Sequence, residues 1–423
     1  MTVIKRIFFM LPFLLMGYSA ISQGIINNGA NFNVESGAFI YGGTFTNQTN
    51  GTDGAVKLDG TMILEGDFLN NAAGNNVFIN IEPIPNGFVL LNGTTLQSIG
   101  GTTETYFENL GITNANKILN INNCEVKGIL DVGAVLDLNH YKFIIDNPNS
   151  NAINYSAGYI LSETQPATGL GDLQWNIGST LGTFQVPFGS GAGGRDLNLA
   201  LSTTTAASPS TGNFIFATYP TDAMNLPYPT PVLSLNGKLP EKIADRYWKI
   251  EPNYTIKPDV DITFGYALND VDQVDNPGLK EDLLQAMRYN ESSNTWLDME
   301  PSGTANVASQ SVSCTGIKSY DLYKWWTLTE MNESSIIIPN VMTPNGDGFN
   351  DFFHVQTTSI ENLDGQIFNR WGRLLFEWSG VDIKWDGYYD GKLVSDGTYF
   401  YIITAKGYDK KEYHYTGTLT VIK

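Results

Sequence analysis

The chain has 423 residues, which is too long for one ordinary domain. Its formal net charge is −19, so nucleic acid and anionic membrane surfaces are excluded as partners. Aromatic residues make up 12% and charged residues only 16%, a balance that excludes a disordered chain and predicts a folded, mostly β protein.

Residues 1–22 have the pattern of a secretory signal peptide. Lys5 and Arg6 precede an apolar stretch over residues 7–16, and the small residues Ala20 and Ser22 predict cleavage before Gln23. A helix needs about 20 apolar residues to span a bilayer, so this stretch is too short. We therefore expect the chain to leave the cytoplasm without stable membrane insertion.

Residues 23–166 contain an imperfect repeat that predicts a β-solenoid-like domain. The segments GAFIYGGT, GAVKLDGT, GFVLLNGT and GAVLDLNH begin at Gly37, Gly54, Gly87 and Gly133, which are 17, 33 and 46 residues apart. These separations approximate one, two and three units of about sixteen residues, and short alternating strands at such a period stack as rungs. The alternative is a β-sandwich whose hairpins resemble one another.

This first domain offers one candidate chemistry, the paired carboxylates of a glycosidase. Two pairs are close enough in sequence: Glu65 with Asp67, and Glu104 with Glu108. Arginine is absent between positions 6 and 195, and the only lysines of the domain are Lys57, Lys117, Lys127 and Lys142, which argues against a lyase that would need cations to hold an acidic polysaccharide.

Residues 167–330 predict a different, antiparallel β-sandwich, because aromatic-rich runs of strand length alternate with Pro, Gly, Asn and Asp clusters. AMRYNESSNTWLDM predicts a hairpin, and LKEDLLQA from Leu279 predicts a helical turn. GSGAGG over 189–194 fits the dinucleotide-binding pattern, but a strand-like run follows it, which indicates a loop. A second acidic cluster is predicted to be a solvated loop: Asp270, Asp272 and Asp275.

Cysteine and histidine are too scarce to indicate a nucleophilic site. Cys124 and Cys314 lie about 190 positions apart, which favours two buried thiols in separate domains over a disulfide framework. The three histidines are His140, His354 and His414.

Residues 336–423 predict a third domain, with about seven strands at the density of an immunoglobulin-like sandwich. Near its start, NGDGFND places Asn345, Asp347 and Asp351 at alternate positions, so Ca²⁺ is the one candidate cofactor of the chain. The alternative is an Asx-rich turn whose side chains bond their own backbone.

Four ordered motifs in this third domain resemble the type B sorting domain of the Bacteroidetes type IX secretion system, also called the gliding-motility-associated C-terminal domain. The matching residues are Thr343, Pro344, Asn345, Gly346, Asp347, Gly348, Asn350 and Asp351; Asn369, Arg370, Trp371 and Gly372; Trp385, Asp386 and Gly387; and Asp396, Gly397 and Tyr399.

The resemblance implies export through the periplasm and recognition of a folded C-terminal domain by the outer-membrane type IX machinery. We expect Trp371 and Trp385 to pack in the core. We expect Arg370 or Arg373 to serve recognition, and the alternative is that their long stems cover apolar surface. The sequence as a whole predicts a non-enzymatic structural or adhesive protein, secreted or held at the cell surface, with glycans or other cells as partners. The alternative is a carbohydrate-binding or carbohydrate-active protein exported by the same route.

Overall fold

The computed structural model describes residues 23–74, 77–79, 86–121, 123–191, 194–271, 279–298 and 303–422. The predicted signal peptide lies outside these residues. The described chain is all-β with only short 3₁₀ helices, and none of its helices is long and apolar enough to cross a membrane. Two compact units divide it: Met1–Asp137 with Ser156–Gly158, and Leu138–Tyr155 with Tyr159–Lys423.

The first unit contains sixteen short strands among its described residues. They are β1 (Ile25–Asn28), β2 (Asn31–Val34), β3 (Phe39–Gly42), β4 (Phe45–Asn50), β5 (Thr52–Asp53), β6 (Ala55–Leu58), β7 (Thr61–Leu64), β8 (Phe68–Asn71), β9 (Phe88–Leu91), β10 (Gln97–Gly101), β11 (Tyr106–Phe107), β12 (Asn109–Ile112), β13 (Lys117–Leu119), β14 (Cys124–Val126), β15 (Leu130–Val132) and β16 (Leu136–Asp137).

These strands wind into a β-solenoid, as the repeat predicts. One ladder runs β1-β4-β8-β10-β13-β16, a second runs β3-β7-β9-β12-β15, and the third side pairs β2 with β6 and β11 with β14. All of these pairs are parallel. The N-terminal solenoid has about six turns.

The predicted repeat length of sixteen residues is wrong. Ile25 lies opposite Phe45 and Lys117 lies opposite Leu136, so these turns advance by 20 and 19 residues. The step from Phe68 to Ile99 is 31 residues. The quoted glycine segments contribute β3 and β9 to one ladder, β6 to another and β16 to a third. The four similar segments therefore do not occupy equivalent positions in successive turns.

Side chains inside the solenoid stack from turn to turn. The Phe45 and Phe68 rings lie 5.2 Å apart, and Phe68 and Phe107 lie 4.8 Å apart. A buried asparagine ladder runs beside them, because Asn27 Nδ2 donates to Asn47 Oδ1 at 2.9 Å and Asn47 Nδ2 donates to Asn70 Oδ1 at 3.3 Å. Such ladders satisfy the side-chain amides without water and fix the register of stacked strands.

The second unit begins with parallel strands and then becomes antiparallel. Its strands before residue 331 are β17 (Lys142–Ile145), β18 (Ile153–Tyr155), β19 (Ile160–Leu161), β20 (Asp172–Trp175), β21 (Gly182–Val186), β22 (Phe188–Gly189), β23 (Leu199–Thr203), β24 (Asn213–Pro220), β25 (Arg246–Asn253), β26 (Val260–Gly265), β27 (Leu284–Asn290), β28 (Thr295–Asp298), β29 (Thr304–Asn306), β30 (Ser311–Ile317) and β31 (Trp325–Glu330). Its 3₁₀ helices are Pro240–Lys242, Leu268–Asp270, Glu281–Leu283, Val307–Ser309 and Ser319–Asp321.

Two antiparallel sheets make up most of this part, for which the sequence predicts a sandwich. One contains β20-β24-β25-β31-β27-β28 and the other β21-β23-β26-β30-β29. Buried rings join them: Phe264 lies 5.5 Å from Trp248 and 5.6 Å from Trp326. The predicted hairpin is β27 and β28, and the predicted helical turn is a single 3₁₀ turn at Glu281–Leu283.

The C-terminal part contains nine strands. They are β32 (Ser335–Ile337), β33 (Val341–Met342), β34 (Gln356–Thr358), β35 (Ile360–Phe368), β36 (Leu374–Ser379), β37 (Tyr388–Tyr389), β38 (Lys392–Leu393), β39 (Gly397–Gly407) and β40 (Glu412–Val421).

A five-stranded sheet in the order β33-β40-β39-β35-β36 is the main layer of this part. The small ladders β32-β34 and β37-β38 accompany it, and a core of twelve buried residues includes Met342, Phe353, Trp385 and Ile403. Ser334 belongs to the same part, because its hydroxyl donates to Asp409 Oδ1 at 2.6 Å.

Candidate functional site

The four motifs of the C-terminal part gather at one end of its sheet. β33 ends at Met342 beside Val421, and β39 begins at Gly397 opposite the same Val421. β35 ends at Phe368 opposite Phe400, and β36 begins at Leu374 opposite Phe368. Three motifs therefore lie at the same end of the sheet: residues 343–351, 369–372 and 396–399. With residues 385–387 they are called the motif end below.

Residues 343–351 form a turn that is held by its own side chains. The Asp351 carboxylate accepts the backbone N–H of Gly346 at 2.7 Å and of Gly348 at 2.8 Å, which holds the pKa of Asp351 below its usual value. Asn345 Oδ1 accepts from the Asp347 N–H at 3.1 Å, and Asp347 Oδ1 accepts from the Phe349 N–H at 2.8 Å. This geometry is that of an Asx-rich turn.

The calcium site and the Asx-rich turn are the two alternatives for Asn345, Asp347 and Asp351, and a melting experiment decides between them. Across the residues that the structure describes, no group of three or more His, Cys, Asp or Glu side chains is arranged to hold a metal ion. Because the turn's own amides already occupy these oxygens, we expect the melting temperature of the chain to be the same in excess Ca²⁺ and in chelator. If the melting temperature is higher in Ca²⁺ than in chelator, and the variants Asp347→Ala and Asp351→Ala lose this difference, the calcium site is established instead.

The motif at 385–387 anchors this turn to the core. Trp385 is 1% exposed, and its ring N–H donates to the Tyr388 carbonyl at 3.0 Å. Its backbone exchanges two hydrogen bonds with Phe353, just after the turn, at 2.9 and 3.0 Å. Gly387 has a φ of 80°, and a Cβ there would lie 3.4 Å from Pro344. The prediction that Trp385 packs in the core is confirmed.

The motif at 369–372 is a tight turn that points outward. Asn369 Oδ1 accepts the backbone N–H groups of Trp371 and Arg373, each at 3.0 Å. Trp371 is 85% exposed, so the prediction that it packs in the core is wrong: the turn directs its ring into solvent. The Arg373 guanidinium lies 5.0 Å from the centre of the Tyr389 ring.

Two sequence-distant motifs form one cleft beside this turn. A cleft of about 300 Å³ is lined by residues 369–371 on one side and by residues 395–399 on the other. The Tyr399 hydroxyl donates to the Ser395 carbonyl at 2.7 Å and closes the second turn. The neighbouring sheet face exposes Phe400 and Ile402 above a shallow groove of about 670 Å³. The motif end thus combines an exposed Trp, an Arg and apolar sheet surface.

The candidate glycosidase carboxylates each hold a neighbouring part of the solenoid. Glu65 accepts from the Tyr41 hydroxyl, and Asp67 accepts from the Ser98 N–H at 2.7 Å. Two more do the same: Glu104 accepts from Asn123 at 2.6 Å, and Glu108 accepts from the Gly87 N–H at 2.7 Å. Each of these carboxylates therefore accepts a hydrogen bond from a neighbouring part of the solenoid.

Both cysteines are buried and free, as predicted. Burial raises the pKa of the Cys314 thiol to about 12 and also raises that of Cys124, so neither thiol is reactive at neutral pH.

The sequence predicts that Asp270 lies in a solvated loop, and this prediction is wrong. Asp270 is buried, and its carboxylate accepts from Arg246 Nε at 2.6 Å and from Arg246 Nη2 at 3.2 Å. Glu163 bonds the same guanidinium at 3.1 Å. Asp272 and Asp275 lie outside the described residues.

Asp245, beside this ion pair, gives a pH prediction. One of its oxygens accepts from Asn225 at 2.9 Å, and the other has no partner among the described residues. Burial, then the charges of Asp270 and Asp222, raises the pKa of Asp245 from 3.8 to about 7. The folded chain therefore holds this proton to higher pH than the unfolded chain, and the free energy of unfolding falls as pH rises between these values.

We expect Asp245→Asn to remove that loss, because asparagine still accepts from Asn225 and carries no charge. The full pKa shift corresponds to about 4 kcal/mol, and screening by solvent reduces the expected gain in the free energy of unfolding at pH 8 to about 2 kcal/mol. Urea unfolding at pH 4 and pH 8 measures the difference. Equal gains at both pH values would contradict the assignment.

A comparison with protein families gives one match. Residues 336–421 match the family described as CHU_C Type IX secretion signal domain, and this span contains the whole motif end. A comparison with curated proteins finds no match to the chain. The chain is a protein with a type IX secretion C-terminal sorting domain. That domain implies export to the cell surface or the medium, and interaction with the type IX secretion machinery.

Proposed function

We propose that the chain is a non-enzymatic structural or adhesive protein that a type B sorting domain delivers to the surface of a member of the Bacteroidetes. The signal peptide takes it through the inner membrane, and the periplasm is the compartment in which the sorting domain folds. The outer-membrane machinery then reads the motif end. The observation that carries this proposal is the gathering of four distant motifs at one end of a domain that matches the sorting family.

The side chains at the motif end support recognition rather than chemistry. Trp371 is held outward by a turn, although a tryptophan ring is normally buried when it serves only stability. Exposed Trp and Arg side chains are the residue types that contribute most at protein interfaces. Arg370, next to Trp371 and lining the same cleft, completes such a pair.

The absence of an enzymatic role is part of this proposal. Its support is the use to which the candidate groups are put. The solenoid carboxylates bond neighbouring backbone and side chains, and the two thiols are buried with raised pKa values. These contacts account for the positions of the carboxylates, and thiols with raised pKa values carry little of the thiolate that a nucleophile requires.

A reporter experiment tests the leading proposal. Residues 331–423 are fused behind a reporter with a signal peptide, in a host that has the type IX machinery, since Ser334 is bonded into the domain. We expect the reporter to reach the cell surface or medium, measured by protease accessibility of whole cells. Retention of a reporter whose fused domain is folded would contradict the proposal.

A carbohydrate-binding role is the second candidate, and one surface favours it. Phe39 and Phe88 lie on either side of Thr61 in adjacent parallel strands, on the outward side of the ladder β3-β7-β9. Aromatic rings in a row stack on sugar rings. Screening the mature chain on a glycan array, with a reducing-sugar assay alongside, decides between the two candidates. Saturable binding that Phe39→Ala and Phe88→Ala abolish, with no sugar released, would favour a binding protein.

A further inference from the structure

The first turn of the solenoid consists of three strands, and each of them has a partner strand on one side only. β1 pairs with β4, β2 with β6 and β3 with β7, and each is the terminal strand of its ladder among the described residues. The three strands have equal lengths of four residues. They are called the first rung below.

The hydrogen-bond pattern shows which backbone groups are open. In a parallel ladder the backbone groups of successive residues point alternately toward the two neighbouring strands. The Ile25 N–H donates to Thr44, so the backbone of Ile26 points the other way.

The other two strands of the first rung follow the same rule. Ala38 accepts from Thr61 and Gly42 accepts from Glu65, which leaves the backbone groups of Phe39 and Tyr41 on the open side. In β2, the carbonyls of residues 30 and 34 bond to the next turn, so Asn31 and Asn33 are open.

The side chains on these open edges are apolar and exposed. Ile26 is 67% exposed, Phe39 is 70% exposed and Tyr41 is 52% exposed. Glu35 is the one charged residue between positions 23 and 52, and this stretch has no proline, although the whole chain has a net charge of −19. Edges that must stay unpaired normally carry lysine, proline or inward-pointing charges, and the first rung has none of these.

We propose that the first rung pairs with the first rung of a second copy of this chain, giving a two-fold dimer. A single edge strand of an unrelated protein covers one of the three open edges, whereas another first rung presents three edges of the same length and spacing. A two-fold axis reverses strand direction, so each pair across the interface is antiparallel. Because these edges are almost free of charge, two copies approach each other there without the repulsion of the acidic surface.

Sedimentation of the mature chain, beginning at Gln23, tests the proposal over about a hundredfold range of concentration. We expect a monomer–dimer equilibrium. The double variant Ile26→Lys with Phe39→Lys adds one positive charge to β1 and one to β3, so each first rung gains two like charges. We expect its dimer dissociation constant to rise by at least about a hundredfold. The matched control is Leu96→Lys with Leu181→Lys, which adds the same charge at similarly exposed positions outside the first rung and should leave the dimer intact.

Three results would overturn the proposal. They are a monomer at every concentration, a dimer that both double variants preserve, and an open series of larger assemblies, since a two-fold interface closes at two copies. Thermal melts of both double variants verify that the solenoid is folded, because all four positions are on the surface. Glycan binding and surface delivery are measured separately, so failure here leaves the proposed function untouched.

Discussion

Removing residues 336–423 is expected to trap the rest of the chain in the periplasm. This segment holds the whole motif end and the match to the sorting family, so the truncated chain keeps the predicted signal peptide but loses the surface that we propose the machinery reads. Cell fractionation of the type IX host, with an antibody against the solenoid, measures the distribution. The surface fraction should fall to background, while the periplasmic fraction rises by the same amount.

A control must separate loss of the address from loss of folding. The sheets of the solenoid and the two antiparallel sheets that follow it end at or before Glu330, so truncation after Ser335 removes none of their strands. The truncated chain should therefore resist periplasmic proteases as well as the full chain does. Normal surface delivery of this truncated chain would rule out the sorting assignment.

The all-β class and the solenoid could be predicted from sequence because strand alternation and turn residues are local signals. The number of residues per solenoid turn could not be predicted, because the loops between strands vary in length and this number ranges from 19 to 31. The glycine segments mark turns in any ladder and carry no register. The better signal is the polar residue that must be buried: Asn27, Asn47 and Asn70 are spaced by 20 and 23 residues, which is the true step there.

At the candidate site, the motifs could be recognised in the sequence, but their proximity in the folded domain could not be predicted. Residues 343–351 and 396–399 become neighbours only because β33 and β39 both pair with the end of β40, a non-local register that no short segment encodes. The role of Phe353 was missed for the same reason, since its backbone hydrogen bonds join it to Trp385, 32 residues later in the sequence. The burial of Asp270, which ends a 3₁₀ helix, was missed because its partner Arg246 lies on β25, 24 residues earlier in the sequence.

The two tryptophans of the motif end provide the sharpest test, because sequence treats them alike and structure does not. Trp385→Ala removes a ring packed 6.0 Å from Tyr399 and 6.4 Å from Phe376, and should lower the free energy of unfolding by about 3–5 kcal/mol. Trp371→Ala removes an exposed ring, and should change it by less than about 0.5 kcal/mol. Urea unfolding of the full chain, followed by the signal of the C-terminal domain, measures both.

We expect both variants to lower surface delivery, but for different reasons. Delivery falls for Trp385→Ala because the folded motif end is lost, and for Trp371→Ala because a folded motif end lacks its exposed anchor. Lys406→Ala is the control, since this exposed side chain on the same domain lies far along β39 from the motif end. If Trp371→Ala is exported as well as Lys406→Ala, the exposed ring has no part in recognition and the cleft beside Asp396 and Tyr399 becomes the surface to change next.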